Sequence, residues 1–164
     1  MTMRAEQLAS RLEQGAKALG EFAERLSDAQ WRTKIPGDGR SVGVVVHHVA
    51  SVYPIELDLA RTVASGKPII GITYEDTIRQ MNAKHAEEHA KTPKKETLEL
   101  LRRNSAAAAA AVRAFSDADL DRAATVSLNA DAPLTAQFVL EDHAVRHSCH
   151  HLAKIRAAVA SAAG

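Results

Sequence analysis

Apolar residues recur along most of the chain at spacings of three and four, which is the period of one face of an α-helix. The first of these stripes predicts a helix over residues 3–27. A second helix is predicted over residues 42–65, because Ser41 is a favourable N-cap and the apolar spacing resumes directly after it. Pro54 lies inside this second helix and lacks the N–H that bonds the carbonyl four residues back, so a kink is expected there.

The second half of the chain has the same periodicity with one polar interruption. Thr73 is a candidate cap for a helix over residues 74–90, and Pro93 suits the start of the next helix. Residues 116–133 are polar and predict a long connection with one helical turn near its beginning. The last helix is predicted to begin where this connection ends, near residue 133, and to extend almost to the C-terminus.

Four long helices joined by one long connection predict an all-α fold, an antiparallel four-helix bundle that forms a single domain over residues 1–164. Hydrophobic residues make up 46% of the sequence, which is enough for a core and argues against disorder. A net charge of +1, together with one Trp, two Tyr and three Phe, argues against a nucleic-acid partner. We see no signal peptide, no apolar run of membrane-spanning length and only one cysteine, so we expect a cytoplasmic protein without a membrane partner.

The eight histidines carry the candidate chemistry, and their positions relative to the apolar stripes separate them into groups. On the last helix, His147 and His151 share a stripe with apolar residues and are expected to face the core. His143 and His150 share a second stripe with basic residues and are expected to face solvent. The last helix therefore has two predicted histidine faces, of which the inner one is the candidate site.

A third histidine completes a candidate metal site. On the second helix, His48 shares the inner stripe, whereas His47 is offset from it by about 100°. Two histidines at positions i and i+4 can hold one metal ion, and a third imidazole from a facing helix leaves an open position for water or substrate, as in catalytic zinc sites. The competing interpretation is that these are hydrogen-bonded core residues, because the H-x-x-x-H spacing occurs three times in this sequence.

The remaining histidines allow two interpretations. The sequence around His85 and His89 is highly charged, which favours a solvated helix face. The alternative places Asn82 and His85 over the mouth of the histidine site, where they would contact the substrate.

Other polar and reactive residues are interpreted structurally. Trp31 is expected to close the end of the bundle, and Cys149, about 160° around the helix from the inner histidines, to pack away from them. Glu141 and Asp142 are interpreted as solvated helix charges rather than as carboxylates that support the ligands. Arg146 is a candidate contact for an anionic substrate, with plain surface charge as the default.

Two segments of the sequence resemble the DinB-like superfamily. They are SVGVVVHHVA at residues 41–50 and RHSCHHLAKI at residues 146–155. The superfamily consists of four-helix bundles related to bacterial transferases that use mycothiol or bacillithiol, with one histidine on the second helix and an H-x-x-x-H pair on the last. The metal ligands that the resemblance implies are His48, His147 and His151. Lys154 stands where the family often has Gln, which departs from its pattern.

The resemblance also implies a divalent metal, most often zinc or nickel, and frequently a homodimer. The expected function is a divalent-metal-dependent enzyme, either a hydrolase or a transferase that uses a low-molecular-weight thiol, acting on a small electrophilic substrate. The alternative is a non-catalytic, stress-associated bundle that binds a metal or a small ligand, and a metal-free packing protein ranks third. The sequence identifies no general base, so it leaves open whether the protein is catalytic.

Overall fold

The computed structural model describes residues 2–162, and helices dominate this part of the chain. In chain order the helices are α1 (Met3–Glu24), α2 (Asp28–Arg32), α3 (Val42–Ala64), α4 (Arg79–Glu88), α5 (Lys94–Arg113), α6 (Asp117–Asp121), α7 (Ala136–Val139) and α8 (Arg146–Ser161). Two strands lie between α6 and α7, namely β1 (Ala123–Val126) and β2 (Ala132–Thr135). π-Helical segments over Tyr74–Ile78 and Leu140–Val145 lead directly into α4 and α8, so the last helix is continuous from α7 onward.

The long helices α1, α3, α5 and α8 form the predicted four-helix bundle. α1 packs against α5 and α8, and α3 packs against the same two helices, so α1 and α3 occupy opposite corners of the bundle. The core consists mainly of Ala, Val and Leu side chains. Arg113 of α5 binds both Glu6 and Glu13 of α1 and links these two helices at the surface. The sequence prediction of fold class is therefore confirmed.

α3 is the most apolar helix of the bundle. Its N-cap is the predicted one, because the Ser41 hydroxyl accepts a hydrogen bond from the backbone N–H of Val44. The helix continues through Pro54 to Ala64. By length and composition α3 could cross a membrane, but 67% of its most apolar window is buried by the rest of the chain. Its apolar character is what a core helix of a bundle requires.

Trp31 on α2 covers one end of the bundle, as predicted. Its indole Nε1 donates a hydrogen bond of 3.1 Å to the carbonyl of Thr92, just before α5. The ring lies so close to the start of α3 that a Cβ on Gly43 would overlap Nε1. Gly43 therefore allows α2 to pack directly on α3.

Residues 116–133 contain more regular structure than predicted. α6 supplies the expected helical turn, but β1 and β2 then form an antiparallel hairpin. Each strand has four residues, which is too short to show alternation in sequence, and Pro133 within β2 argues against a strand. Because β2 extends to Thr135, which caps the next helix, the last helix begins at Ala136 and not near residue 133.

The region before α4 is held by the hairpin rather than by the bundle core. The backbone N–H of Ile69 donates a hydrogen bond to the carbonyl of Thr125, and the carbonyl of Ile69 accepts one from the N–H of Ser127, just after β1. Thr73 caps the following π-helical segment, as predicted for a helix over residues 74–90. α4 itself has no buried residue, so hydrophobic burial contributes little to its position beside α3.

Candidate metal centre

His48 on α3 and the pair His147 and His151 on α8 converge between the two helices. Each ring offers one nitrogen, and these three nitrogens lie within 4.8 Å of one another. His48 and His151 are each 6% exposed, whereas His147 is half-buried. The structure thus brings together the three histidines that the apolar stripes assigned to the interior.

Rigid elements hold this group, which we call the inner cluster. The rings of His147 and His151 are one helical turn apart, with centroids 4.8 Å from each other. The ring centroid of His48 lies 5.1 Å from that of His147 and 5.5 Å from that of His151. Beside the cluster, the hydroxyls of Tyr53 and Ser148 share a buried hydrogen bond of 2.6 Å that joins α3 to α8. The inner cluster is therefore preformed by packing of the bundle.

A buried carboxylate supports the inner cluster, and the sequence analysis missed it. Glu56 on α3 is 5% exposed, and one of its oxygens, Oε1, bonds Nδ1 of His147. This contact leaves Nε2 of His147 free for a metal and fixes the orientation of the ring, the usual role of a carboxylate behind a ligating histidine. Its sequence signal was present, because Val49, Tyr53, Glu56 and Ala60 follow helical spacings of four, three and four on the buried face of α3.

Two of the inner imidazoles, His48 and His151, are held in the neutral form, which is the form that binds metal. Burial lowers the pKa of His48 to about 3 and the pKa of His151 to about 2. Nδ1 of His151 is also buried without a hydrogen-bond partner among residues 2–162. Neutral imidazoles backed by one carboxylate suit zinc and nickel, so the residues present fit a divalent transition metal.

The inner cluster opens into a cavity of about 350 Å³. Asn82 lines this cavity, and so do the basic side chains of Arg40, Arg146 and Lys154. Asp38 holds Arg40 through hydrogen bonds of 2.6 and 2.8 Å, yet Nη1 of Arg40 is buried and has no partner in the described chain. The inner histidines therefore line the base of the cavity, and the basic side chains of Arg40, Arg146 and Lys154 form what we call its basic wall.

The prediction that His143 faces solvent was wrong. His143 lines the cavity and is half-buried, with Nε2 buried and unpartnered among the described residues and 3.9 Å from Oδ2 of Asp142. Burial lowers the pKa of His143. The helix is π-helical here, so a stripe drawn with regular α-helical spacing misplaces this side chain. His150 is exposed, as predicted.

A second group of imidazoles, which we call the outer cluster, lies beside the inner one. His47, His85 and His89 each offer a ring nitrogen, and these nitrogens also lie within 4.8 Å of one another. The ring centroid of His85 is 5.5 Å from that of His48. Burial lowers the pKa of His47 and the pKa of His85 to about 4. The expectation of a solvated helix face was therefore wrong for His85 and His89, because both rings are turned toward His47 on α3. Of the alternative pair, Asn82 lines the cavity and His85 does not.

The other residues singled out in the sequence lie mostly as interpreted. Glu141 forms an ion pair with Arg11, and Asp142 forms one with Arg146. Cys149 is exposed and faces α1, where a Cβ on Gly15 would lie 3.3 Å from its sulfur. The pairing of Asp142 and Arg146 occurs at the wall of the cavity, so Arg146 is close to the space that a substrate would occupy.

Comparison with known proteins supports this fold. The family model of the DinB superfamily matches residues 11–155, and the chain therefore belongs to the DinB superfamily. No curated protein matches the chain. The solved structure of YfiT from Bacillus subtilis, described as a probable metal-dependent hydrolase with an unusual four-helix bundle topology, is similar with a TM-score of 0.76 and 20% identity. The similarity covers 99% of this chain and 90% of YfiT, and it supports the bundle fold.

Proposed function

We propose that this protein is a divalent-metal-dependent hydrolase whose metal ligands are His48, His147 and His151. The observation that carries the proposal is the convergence of three imidazoles, one of them held by a buried carboxylate, at the base of a cavity. A divalent ion in an open three-histidine site polarises a bound water or thiol and lowers its pKa. The description of YfiT as a probable metal-dependent hydrolase supports the choice of reaction.

Glu56 serves the site in two ways in this proposal. Oε1 holds the His147 ring in the orientation that presents Nε2 to the metal. Oε2 is buried and has no hydrogen-bond partner among residues 2–162, and Glu56 lines the same cavity. Because Glu56 lies across the His147 ring from an ion at Nε2, this second oxygen is the candidate general base through one bridging water, which would carry the proton from the attacking nucleophile.

The cavity selects small substrates with an anionic or electron-rich oxygen. Its volume of about 350 Å³ lies at the small end of the range for ligand sites. Nη1 of Arg40 is a buried donor without a partner in the described chain, so it offers a hydrogen bond to a substrate oxygen. Lys154 and Arg146 add positive charge, and Ile55 and Met81 line the same space with apolar surface.

Transfer from a low-molecular-weight thiol to a small electrophile is the second candidate, since a thiol would occupy the same open metal position. The basic wall suits an acidic thiol as well as an anionic substrate. In this version the metal ligands and Glu56 keep the same roles. A non-catalytic metal-binding bundle would keep the ligands but would need no proton acceptor.

Activity of the purified protein loaded with zinc or nickel tests the proposal. The assay compares a panel of small carboxylate-bearing esters and amides with an electrophilic dye offered together with thiols. We expect hydrolysis that His151→Ala abolishes and Glu56→Gln reduces by about 100-fold, as for loss of a general base. Arg156→Ala, which removes an exposed side chain of the same helix that does not line the cavity, is the control.

The outcomes separate the three functions. Turnover that requires an added thiol would favour the transferase. Stoichiometric metal without turnover on either panel would favour the non-catalytic bundle. Hydrolysis that survives His151→Ala would contradict the proposed site.

A further inference from the structure

Hydrophobic burial does not explain why α4 lies where it does. None of its residues is buried, yet α4 and the segment before it form one wall of the cavity through Tyr74, Ile78, Met81 and Asn82. Helices that bury no apolar side chain open at low free-energy cost, because hydrophobic burial is the main term that holds an element in place. Some other interaction must therefore hold this wall against α3.

The outer cluster is the polar contact between α4 and α3. His47 comes from α3, His85 from α4 and His89 from the residue after its last turn. Nδ1 of His47 and Nε2 of His85 share a hydrogen bond of 2.9 Å, and the ring of His89 stacks on that of His47 with centroids 3.9 Å apart. Nδ1 of His85 is buried with no partner among residues 2–162. The Ser51 hydroxyl on α3 also lies 3.4 Å from Nε2 of His85. Most of the ring nitrogens of the three imidazoles nevertheless have no hydrogen-bond partner among residues 2–162.

The geometry of the outer cluster suits a metal ion. Its three ring nitrogens lie within 4.8 Å of one another, the same limit that the inner cluster meets. Nitrogens bound to one tetrahedral zinc at about 2.0–2.1 Å lie about 3.4 Å apart, so small ring rotations convert the shared hydrogen bond into two metal bonds. Three imidazoles without a carboxylate are a donor set for zinc, copper or nickel rather than for calcium or magnesium.

We propose that His47, His85 and His89 bind a second divalent transition-metal ion, which fastens α4 to α3 and so fixes the wall of the cavity. The two sites would use adjacent residues of α3, because His47 belongs to the outer cluster and His48 belongs to the inner one. The inner ion would serve chemistry and the outer ion would serve structure. This role goes beyond the proposed function and does not depend on it.

Metal stoichiometry of the full-length protein tests the second site. Protein stripped with a chelator is dialysed against zinc at pH 7.5 and its metal content is measured. We expect two equivalents in the unchanged protein and one equivalent in His85→Ala, in His89→Ala and in His151→Ala. His150→Ala, the control, keeps two equivalents. Circular dichroism confirms that each variant is folded, and two outer variants are used so that one misfolded protein does not decide the result.

The two sites fail in different ways. One equivalent in the unchanged protein that His151→Ala removes and His89→Ala leaves in place would overturn the outer site and leave the proposed function standing. One equivalent that His89→Ala removes and His151→Ala leaves in place would support the outer site and overturn the inner one.

Hydrogen exchange tests the fastening itself. Amides of residues 79–89 should exchange at least 10-fold more slowly once the second equivalent of zinc is bound, because opening of α4 would then require release of the ion. His89→Ala should abolish this slowing while His151→Ala retains it. Exchange of α4 that does not respond to zinc in the unchanged protein would overturn the proposed role.

Discussion

The inner and outer clusters begin at adjacent residues, His48 and His47, and differ in what lies opposite them. The inner cluster faces α8, which packs against α1 and α3 in the bundle core, and a buried carboxylate orients one of its rings. The outer cluster faces α4, which buries no residue, and its rings contact one another. In the inner cluster the scaffold positions the imidazoles before any ion binds. In the outer cluster the imidazoles are part of what positions the scaffold, so ligand binding and local stability are linked there.

The largest expected effect is loss of metal from the inner cluster. His151→Ala leaves two imidazoles, which do not hold a divalent ion tightly, so zinc should no longer bind there. In the unchanged protein, zinc at 100 times its Kd stabilises the folded state by about 2.7 kcal/mol for each site. Calorimetric melting with and without zinc checks this. If zinc raised the melting temperature of His151→Ala as much as that of the unchanged protein, His151 would not be a ligand of the inner cluster.

Acid should destabilise the metal-free protein through both clusters, and below about pH 4 chiefly through the inner one. Unfolded histidine has a pKa near 6.5, whereas burial lowers the pKa of folded His48 to about 3 and that of His151 to about 2. Below pH 6.5 the unfolded chain therefore binds protons that the folded chain does not. For each pH unit of acidification, the free energy of unfolding decreases by up to about 1.4 kcal/mol per histidine.

Urea midpoints of the metal-free protein at pH 6, 5, 4 and 3 measure this slope. Replacing His151 with Ala should flatten the slope below pH 4 more than replacing His47, because the pKa of His47 is lowered only to about 4 and folded His47 takes up its own proton there. Equal slopes for the two variants would show that the clusters do not differ in burial as described.

Glu56→Gln should weaken the inner site without affecting the outer one. Loss of a carboxylate behind a ligating histidine typically costs 10-fold to 100-fold in metal affinity, that is about 1.4–2.7 kcal/mol. Competition with a chelator of known affinity measures this loss. Asp58→Asn, which removes an exposed carboxylate from the same helix, is the control. Equal zinc affinities in the two variants would argue that Glu56 does not position His147.

The smallest effect is expected at His150. It is exposed and belongs to neither cluster, so His150→Ala should change the free energy of unfolding by no more than about 0.5 kcal/mol and leave the metal content intact. Urea unfolding and elemental analysis check both. Loss of one metal equivalent in this variant would mean that the face of α8 has been misassigned.

Features that helical periodicity controls could be predicted from the sequence, whereas features that depend on tertiary contacts could not. The inner histidines were brought together correctly because His147 and His151 share a buried stripe and His48 shares another. Glu56 follows the same rule, but a single glutamate in an apolar stripe does not reveal that its partner is a histidine on another helix. The outer cluster could not be predicted, since nothing in the spacing of His85 and His89 shows that α4 turns toward α3. The hairpin was missed because strands of four residues carry no measurable period.

The π-helical segment Leu140–Val145 makes the last helix tolerant of insertion and deletion at one defined place. A π-helical turn holds one residue more than an α-helical turn, so it amounts to an insertion that the helix has absorbed. Deleting one residue there would restore a regular helix and leave the side chains on either side facing as they do now, whereas a deletion elsewhere in the helix would turn one side by about 100° relative to the other. His147 and His151 follow the segment and would keep their spacing from each other. Sequence alignments of relatives would then show a one-residue gap before the histidine pair, with the pair itself in register.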